Sequence, residues 1–338
     1  MPRDAGPVVT RRISLDTVRA AAETVYRVAV RTPLVRLDLP GGAAAGPEVF
    51  LKLETLQPIG SFKIRGAQNA MAHLSRAQLA DGVWTVSAGN AAQGVALAAR
   101  MAGASCRVMV MDTAPETKLR AIERLGATIV KASYDECWRT VELHGSDRMR
   151  GRFVHPFDDD DFISGNGTIG LEIIEDLPDV DAIVAPLGGG GLLAGVGAVV
   201  KAVRPATRVY AAEPETAAPL SVSFQAGKAS RFDGWQSSFV DGAGGKSVLT
   251  TMWPLVGTVT GSIVVSLDEV ARAMKLTAER THVIAEGAAG CAIAAALSGR
   301  ANSTTTRGSG RREKIVAVVS GGNIDLTKFA ALVGACNP

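Results

Sequence analysis

An α/β architecture with parallel strands is predicted by three observations. Between residues 82 and 133, short apolar runs alternate with helical patterns in the order strand, helix, strand, helix, strand. Runs of the same kind recur at 181–203, 208–214 and 314–323. Glycine-rich turns follow three of these strands, and ligands of parallel sheets sit beyond the carboxyl ends of the strands.

Taken in order, GVWTVSAGN (82–90) reads as a strand ending in a turn, and AAQGVALAARMAG (91–103) as a small-residue helix ending at Gly103. CRVMVMD (106–112) is a second strand. PETKLRAIERLGA (115–127) is a second helix, with Pro115 in its first turn and Gly126 near its end, and TIVKAS (128–133) a third strand. SRFDGWQSSFVDGAGGKSV (230–248) carries turn signals but weak periodicity, the mark of a long loop with a function or without order. The polar stretch 298–313 reads as a mobile surface connection, and the acid run Asp158 to Asp161 as a helix start.

With 338 residues, the chain suggests roughly two domains at about 100–200 residues each. Hydrophobic residues make up 47% and aromatics only 5%, so the cores must be built from Ala, Val, Leu and Ile. The net charge of +3 is scattered, apart from a small knot at Arg307, Arg311, Arg312 and Lys314. Neither a basic stripe nor interleaved aromatics is present, which argues against nucleic acid as a partner. Cys106, Cys137, Cys291 and Cys336 form no Cys-x-x-Cys pair and suggest reduced thiols in a cytoplasmic protein. His73, His144, His155 and His282 lack metal-ligand spacing and read as ordinary surface or core histidines. The N-terminus lacks the apolar run of a signal peptide, and no apolar window is long enough for a membrane span.

Lys63 stands between Phe62 and Ile64, just after a Pro-x-Gly-Ser turn. A lone lysine is ordinarily a surface residue. Held among apolar neighbours, it becomes a nucleophile or base, because desolvation lowers its pKa. The four glycines Gly188, Gly189, Gly190 and Gly191 precede the helical run LLAGVGAVV and form an anion cradle at a helix N-terminus, suited to a phosphate. Gly189-x-Gly191-x-x-Ala194, with Glu213 closing the next strand, also fits a dinucleotide fingerprint and so a nicotinamide or flavin enzyme. That reading leaves Lys63 and Ser87–Asn90 without a role. A lysine, a phosphate cup and two polar turns, Ser87-Ala88-Gly89-Asn90 and Ser320-Gly321-Gly322-Asn323, are what pyridoxal 5'-phosphate requires.

The chain resembles the fold type II pyridoxal-phosphate enzymes, most closely the serine/threonine dehydratases and their relative serine racemase. The resemblance runs from RTPLVRLD (31–38) to SGGNIDL (320–326) and rests on SFKIRGA (61–67), SAGN (87–90), HPFDD (155–159), GTIGLEI (167–173), the four glycines and SGGN. It implies a two-domain, tryptophan synthase β-like fold with open twisted parallel sheets and helices on both faces. Residues 82–159 would form a small mobile domain, and 1–81 with 160–338 a large cofactor-binding one. A homodimer is the family expectation.

By that resemblance Lys63 holds the cofactor as a Schiff base, beside Phe62, and then acts as base on the α-proton. Asn90 contacts the ring hydroxyl; Ser87, Ala88, Gly89, Asn90 and Ala91 form the substrate-carboxylate loop. Glu286 lies near the ring, and Ser320, with Asn323, under the pyridine nitrogen. A serine there does not fix a proton on the pyridine, which favours prompt loss of a β-hydroxyl. The implied reaction is β-elimination of a 3-hydroxy amino acid such as L-threonine or L-serine, giving a 2-oxo acid and ammonia. A bulkier phenylserine-like substrate, a β-replacement synthase and a non-enzymatic cofactor-binding relative are the alternatives.

Four departures accompany the resemblance. Ala88 replaces the second serine of racemases and cannot donate a proton. Ala91 replaces the family's histidine, by drift or to admit a larger β-substituent. Asn166 stands for a glutamine. Glu213 matches the first ligand of the family's divalent-metal site, but Pro219 matches a later acidic one, so no metal is expected. With 15 residues after Asn323, no regulatory domain is expected.

Overall fold

The computed structural model describes residues 11–39, 46–302 and 312–336. Arg307, Arg311 and the centre of the polar connection, like residues 1–10, lie outside the described residues. The chain runs through helix α1 (Leu15–Val25), strands β1 (Leu34–Arg36) and β2 (Glu48–Leu53), and helices α2 (Lys63–Ala72) and α3 (Arg76–Asp81). The alternation follows: β3 (Val83–Val86), α4 (Asn90–Met101), β4 (Cys106–Met111), α5 (Glu116–Glu123), β5 (Thr128–Ala132), α6 (Tyr134–Leu143) and β6 (Arg152–Phe153). The second half comprises α7 (Asp160–Asp176), β7 (Ala182–Pro186), α8 (Gly191–Val203), β8 (Arg208–Pro214), α9 (Pro219–Ala226), α10 (Trp253–Val256), β9 (Gly261–Val265), α11 (Leu267–Thr281), α12 (Gly287–Leu297), β10 (Lys314–Val319) and α13 (Leu326–Gly334).

Two sheets result. One has six strands in the order β1-β2-β10-β7-β8-β9, the other four in the order β5-β4-β3-β6. Every pairing is parallel except β1 with β2. β7 and β10 read as unbroken apolar runs because helices cover both faces. Their alternate residues feed two different cores. Ala182, Val184, Ile315 and Ala317 pack with the alanine-rich α12, whereas Ile183, Ala185, Val316 and Val318 pack with Leu193, Val196 and Val199 of α8. Burying one such Val or Ile contributes about 1.5–3 kcal/mol.

Helices α2, α7 and α8 touch almost backbone to backbone. A Cβ on Gly165 would fall 2.4 Å from the Arg65 carbonyl oxygen, and one on Gly195 2.5 Å from that of Ile163. The expected helix start in the acid run is present, with Asp159 as the N-cap whose carboxylate accepts the Phe162 N–H. Its neighbours do something the sequence did not announce: Asp158 and Asp160 both pair with Arg11, each at 2.7 Å.

Candidate active site

Lys63 is the first residue of α2. The turn before it is tied to the end of β10: Ser61 bridges Gly321, and the Phe62 N–H donates to the Ser320 carbonyl at 3.0 Å. From the other side α4 presses on the same turn, since a Cβ on Gly94 would lie 2.9 Å from the Lys63 carbonyl oxygen. The loops after β3 and β10 therefore converge on one lysine. Its Nζ donates to the Pro156 carbonyl at 2.6 Å and lies 5.2 and 5.3 Å from the ring centroids of Phe62 and Phe162. No carboxylate pairs with it among the described residues. Burial lowers its pKa from the usual lysine value to about 8, against an opposing pull from Glu286. About a tenth of the amine is then neutral at pH 7, against roughly one part in 3000 for an ordinary lysine.

The Pro156 carbonyl is aimed by His155. The Nδ1 of His155 accepts the N–H groups of Phe157 (3.2 Å) and Asp158 (2.7 Å), so Nε2 carries the proton and donates to the Val141 carbonyl at 3.2 Å. Burial and the neighbouring His144 hold the ring neutral, with its pKa pushed down to about 3. His144, His155 and Asp158 thus come together, although their spacing in the chain gave no sign of it. They do not form a metal site. Both His155 nitrogens are committed, and Asp158 accepts from His144, Thr251 and Arg11.

Two residues along α2, Arg65 is fully buried in a charge cluster. It donates to both oxygens of Glu54 (2.8 Å each) and to Glu172 (2.6 and 3.1 Å), while Lys52 reaches Glu172 at 2.6 Å. These contacts bolt α2 to β2 and α7. Burial opposes the guanidinium charge, but the two carboxylates outweigh it and raise its pKa. Sequence reasoning missed Lys52, Glu54 and Glu172, because residues this far apart in the chain leave no periodic signal.

The four glycines lie where expected, between β7 and α8. Gly190 has φ +93° and stands at the N-cap of α8 with no side-chain cap. Cβ atoms on Gly189 and Gly191 would strike Phe157, at 2.0 Å from the ring and 2.7 Å from the carbonyl oxygen respectively. Among the described residues, the N–H groups of Gly188, Gly189 and Gly190 donate to no protein acceptor. Free donors, bare Cα atoms and the positive end of a 13-residue helix fit a phosphate monoester. Glu213 does not complete the dinucleotide pattern. Its carboxylate accepts the N–H groups of Leu220 and Ser221 and the Ser262 hydroxyl, so it caps α9 and is not free to take a ribose.

A second polar group lies at the strand ends. Asn90 Nδ2 donates to Glu286 at 2.8 Å, and Asn323 Nδ2 donates to Asn90 Oδ1 at 2.7 Å. Glu286 is 6% exposed, and burial raises its pKa to about 7, partly offset by Asn90. Ser87 Oγ accepts the Gly89 N–H at 3.1 Å. Ser320 is buried beside this chain, and the Ser61 hydroxyl is buried with no partner among the described residues. Ala91 is buried in the first turn of α4; Asn166 is fully buried, with neither amide atom paired among the described residues.

The site therefore joins an activated amine, a phosphate-shaped cradle and a polar chain at the ends of parallel strands. That is the arrangement of a pyridoxal-phosphate enzyme. A family model for pyridoxal-phosphate dependent enzymes matches residues 25–321, and the chain belongs to that family and uses its cofactor. It is 37% identical over 324 residues to the L-threonine ammonia-lyase of Thermotoga maritima, covering 95% of this chain and 78% of that one. The catabolic L-threonine dehydratase TdcB of Escherichia coli K12 is also 37% identical, over 95% and 96% of the two chains. The maize serine racemase structure superposes with a TM-score of 0.84 at 33% identity, over 94% and 96%. Membership in this family replaces the nicotinamide or flavin alternative. Among the described residues, no helix is long and apolar enough to cross a membrane.

Proposed function

We propose that this enzyme is an ammonia-lyase that eliminates the β-hydroxyl of L-threonine or L-serine, giving a 2-oxo acid and ammonia. The observation that carries the reading is Lys63, a lysine whose amine is desolvated, pairs with no carboxylate among the described residues and begins the helix beside the cradle. The bound cofactor supplies an electron sink for the pair left at the α-carbon. In this reading Lys63 anchors the cofactor and its Nζ takes the α-proton. The free N–H groups of the Gly188–Gly191 turn hold the phosphate. Ser87 and the backbone of Gly89 and Asn90 hold the substrate carboxylate. The Asn323–Asn90–Glu286 chain holds the Asn90 amide, which would receive the ring hydroxyl of the bound cofactor, and Ser320 would offer its neutral hydroxyl to the ring nitrogen. Ala88 offers no proton to the opposite face, which disfavours racemisation.

The same proposal includes a small unit, residues 82–159, that moves over the cleft and excludes water, two copies per molecule, and a cytoplasmic setting. Four unpaired cysteines, three of them buried, suit a reducing compartment. No divalent cation is required, since the Glu213 carboxylate is already taken by three protein donors.

The test is the purified holoenzyme with L-threonine, L-serine and 3-phenylserine, with and without a chelator. A 2-oxo acid and ammonia should appear in equal amounts with at least one substrate, and the chelator should change nothing. In Lys63→Ala the rate should fall by at least about 10³-fold, together with the cofactor's visible absorbance. An active, yellow Lys63→Ala protein would overturn the assignment. Should Ala91→His abolish only phenylserine turnover, the missing histidine is what admits larger substrates.

A further inference from the structure

Residues 230–248 fold into a hairpin-like excursion. The Phe232 N–H donates to the Lys246 carbonyl at 2.8 Å, Arg231 bridges Ser247, and Trp235 Nε1 donates to the Gly244 carbonyl at 2.9 Å. The excursion leaves the six-stranded sheet and lands on the four-stranded unit. Asp241 pairs with Lys118 of α5, and Lys246 Nζ lies 4.4 Å from the ring centroid of Tyr134, the first residue of α6. The same ammonium lies 4.3 Å from the Trp235 ring, so it is held between two aromatic faces. It has no hydrogen bond and no carboxylate partner among the described residues. The one acid beside it on the cavity, Asp241, is already paired with Lys118.

Beneath the excursion is a cavity of about 270 Å³ whose walls include Gly188 and Gly189 of the cradle together with Lys246. Cradle and excursion are in contact: a Cβ on Gly245 would lie 3.9 Å from the Gly188 carbonyl oxygen, and one on Gly188 2.7 Å from that of Gly242. The remaining walls, among them Leu187, Val248, Leu249 and Trp138, are largely apolar. One cavity is therefore lined both by two glycines of the cradle and, among the described residues, by a single unpaired cation.

We propose that Lys246 is a phosphate-binding residue. Its ammonium, prepositioned by Tyr134 and Trp235, is the counter-charge that the cradle itself lacks for a phosphomonoester dianion. Backbone N–H groups supply partial charge only, whereas a cation reaching the dianion forms a charge-assisted hydrogen bond. This rests on the cofactor reading above and adds a binding group to it. Because Tyr134 belongs to the four-stranded unit, the residue also couples the phosphate to the position of that unit.

Apo-protein would be titrated with pyridoxal 5'-phosphate and, separately, with pyridoxal, which has no phosphate, following visible absorbance. Lys246→Met should weaken binding of the phosphate form about tenfold or more and leave pyridoxal unchanged, and Lys246→Arg should recover most of the loss. The wild-type titration tests the cofactor reading separately: absence of any visible band there would sink that reading and this proposal with it, whereas the outcomes below sink the proposal alone. An unchanged phosphate-form affinity in Lys246→Met overturns the proposal. So does an equal loss for both compounds, which would mark a general packing role. If cofactor affinity holds while the KM for 3-hydroxyaspartate alone rises against that for threonine, the ammonium reads a substrate carboxylate instead.

Discussion

Lys63 and Arg65 stand two residues apart on one helix, Arg65 fully buried and Lys63 partly so. Arg65 has two carboxylates in bidentate reach, with Lys52 sharing one of them, and its charge is held more firmly than in solution. Lys63 has a carbonyl and two aromatic faces, and its charge is held less firmly. Burial is common to both; the supply of carboxylates decides the outcome. The paired cation fixes a helix in place, and the unpaired one can surrender its proton.

Breaking the paired side should have the larger effect on stability. Arg65→Met leaves Glu54 and Glu172 as buried carboxylates with a donor removed and should cost about 3–5 kcal/mol, read by urea unfolding. A loss under about 1 kcal/mol would show that the cluster contributes little to holding α2.

The unpaired side should respond with the opposite sign. With the folded-state pKa near 8 and the unfolded value at 10.5, protonated Lys63 is destabilising below about pH 8. That penalty disappears as pH rises from about 8 to about 10.5, because there the unfolded chain binds the extra proton. Lys63→Met keeps the apolar stem and should stabilise the apo-protein by about 3 kcal/mol at pH 7, with the gain vanishing above about pH 10. A gain that did not vary with pH would mean that packing, not charge, was responsible.

A smaller effect extends the contrast to carboxylates. Glu286 has its pKa raised to about 7, so its folded form prefers the proton and a penalty develops as pH rises from about 4.5 to 7. Glu286→Gln should remove that penalty and raise apo-protein stability by about 1–2 kcal/mol at pH 8 but not at pH 4, since Asn90 also loses a charged acceptor. Thermal unfolding at the two pH values checks it; equal shifts at both would contradict the titration.

The alternation of strands and helices was legible because each strand is a short apolar run and each helix opens on a recognisable turn or cap. Lys63, at a helix start after a turn, and the four glycines and two polar turns, at strand ends, were legible as candidates because each is a local pattern. The partners that give these residues their properties were not. Glu172 reaches Arg65 from a helix more than a hundred residues away, and Lys246 reaches Tyr134 from an excursion whose sequence showed only turn signals. Such contacts depend on how elements dock, which periodicity does not encode. His155 is the sharpest case. Its lone position in the chain suggested an ordinary histidine, whereas its ring organises the turn that meets the lysine amine.

The close seams among α2, α7 and α8 make those helices a ruler. The amine sits at the origin of the first, the cradle opens onto the last, and the middle one spaces them with almost no side-chain padding. A single methyl at Gly165 or Gly195 would lengthen the ruler, separating the two ends of a molecule whose own length cannot change. Tolerance to mutation should therefore be lowest at positions that never touch the cofactor.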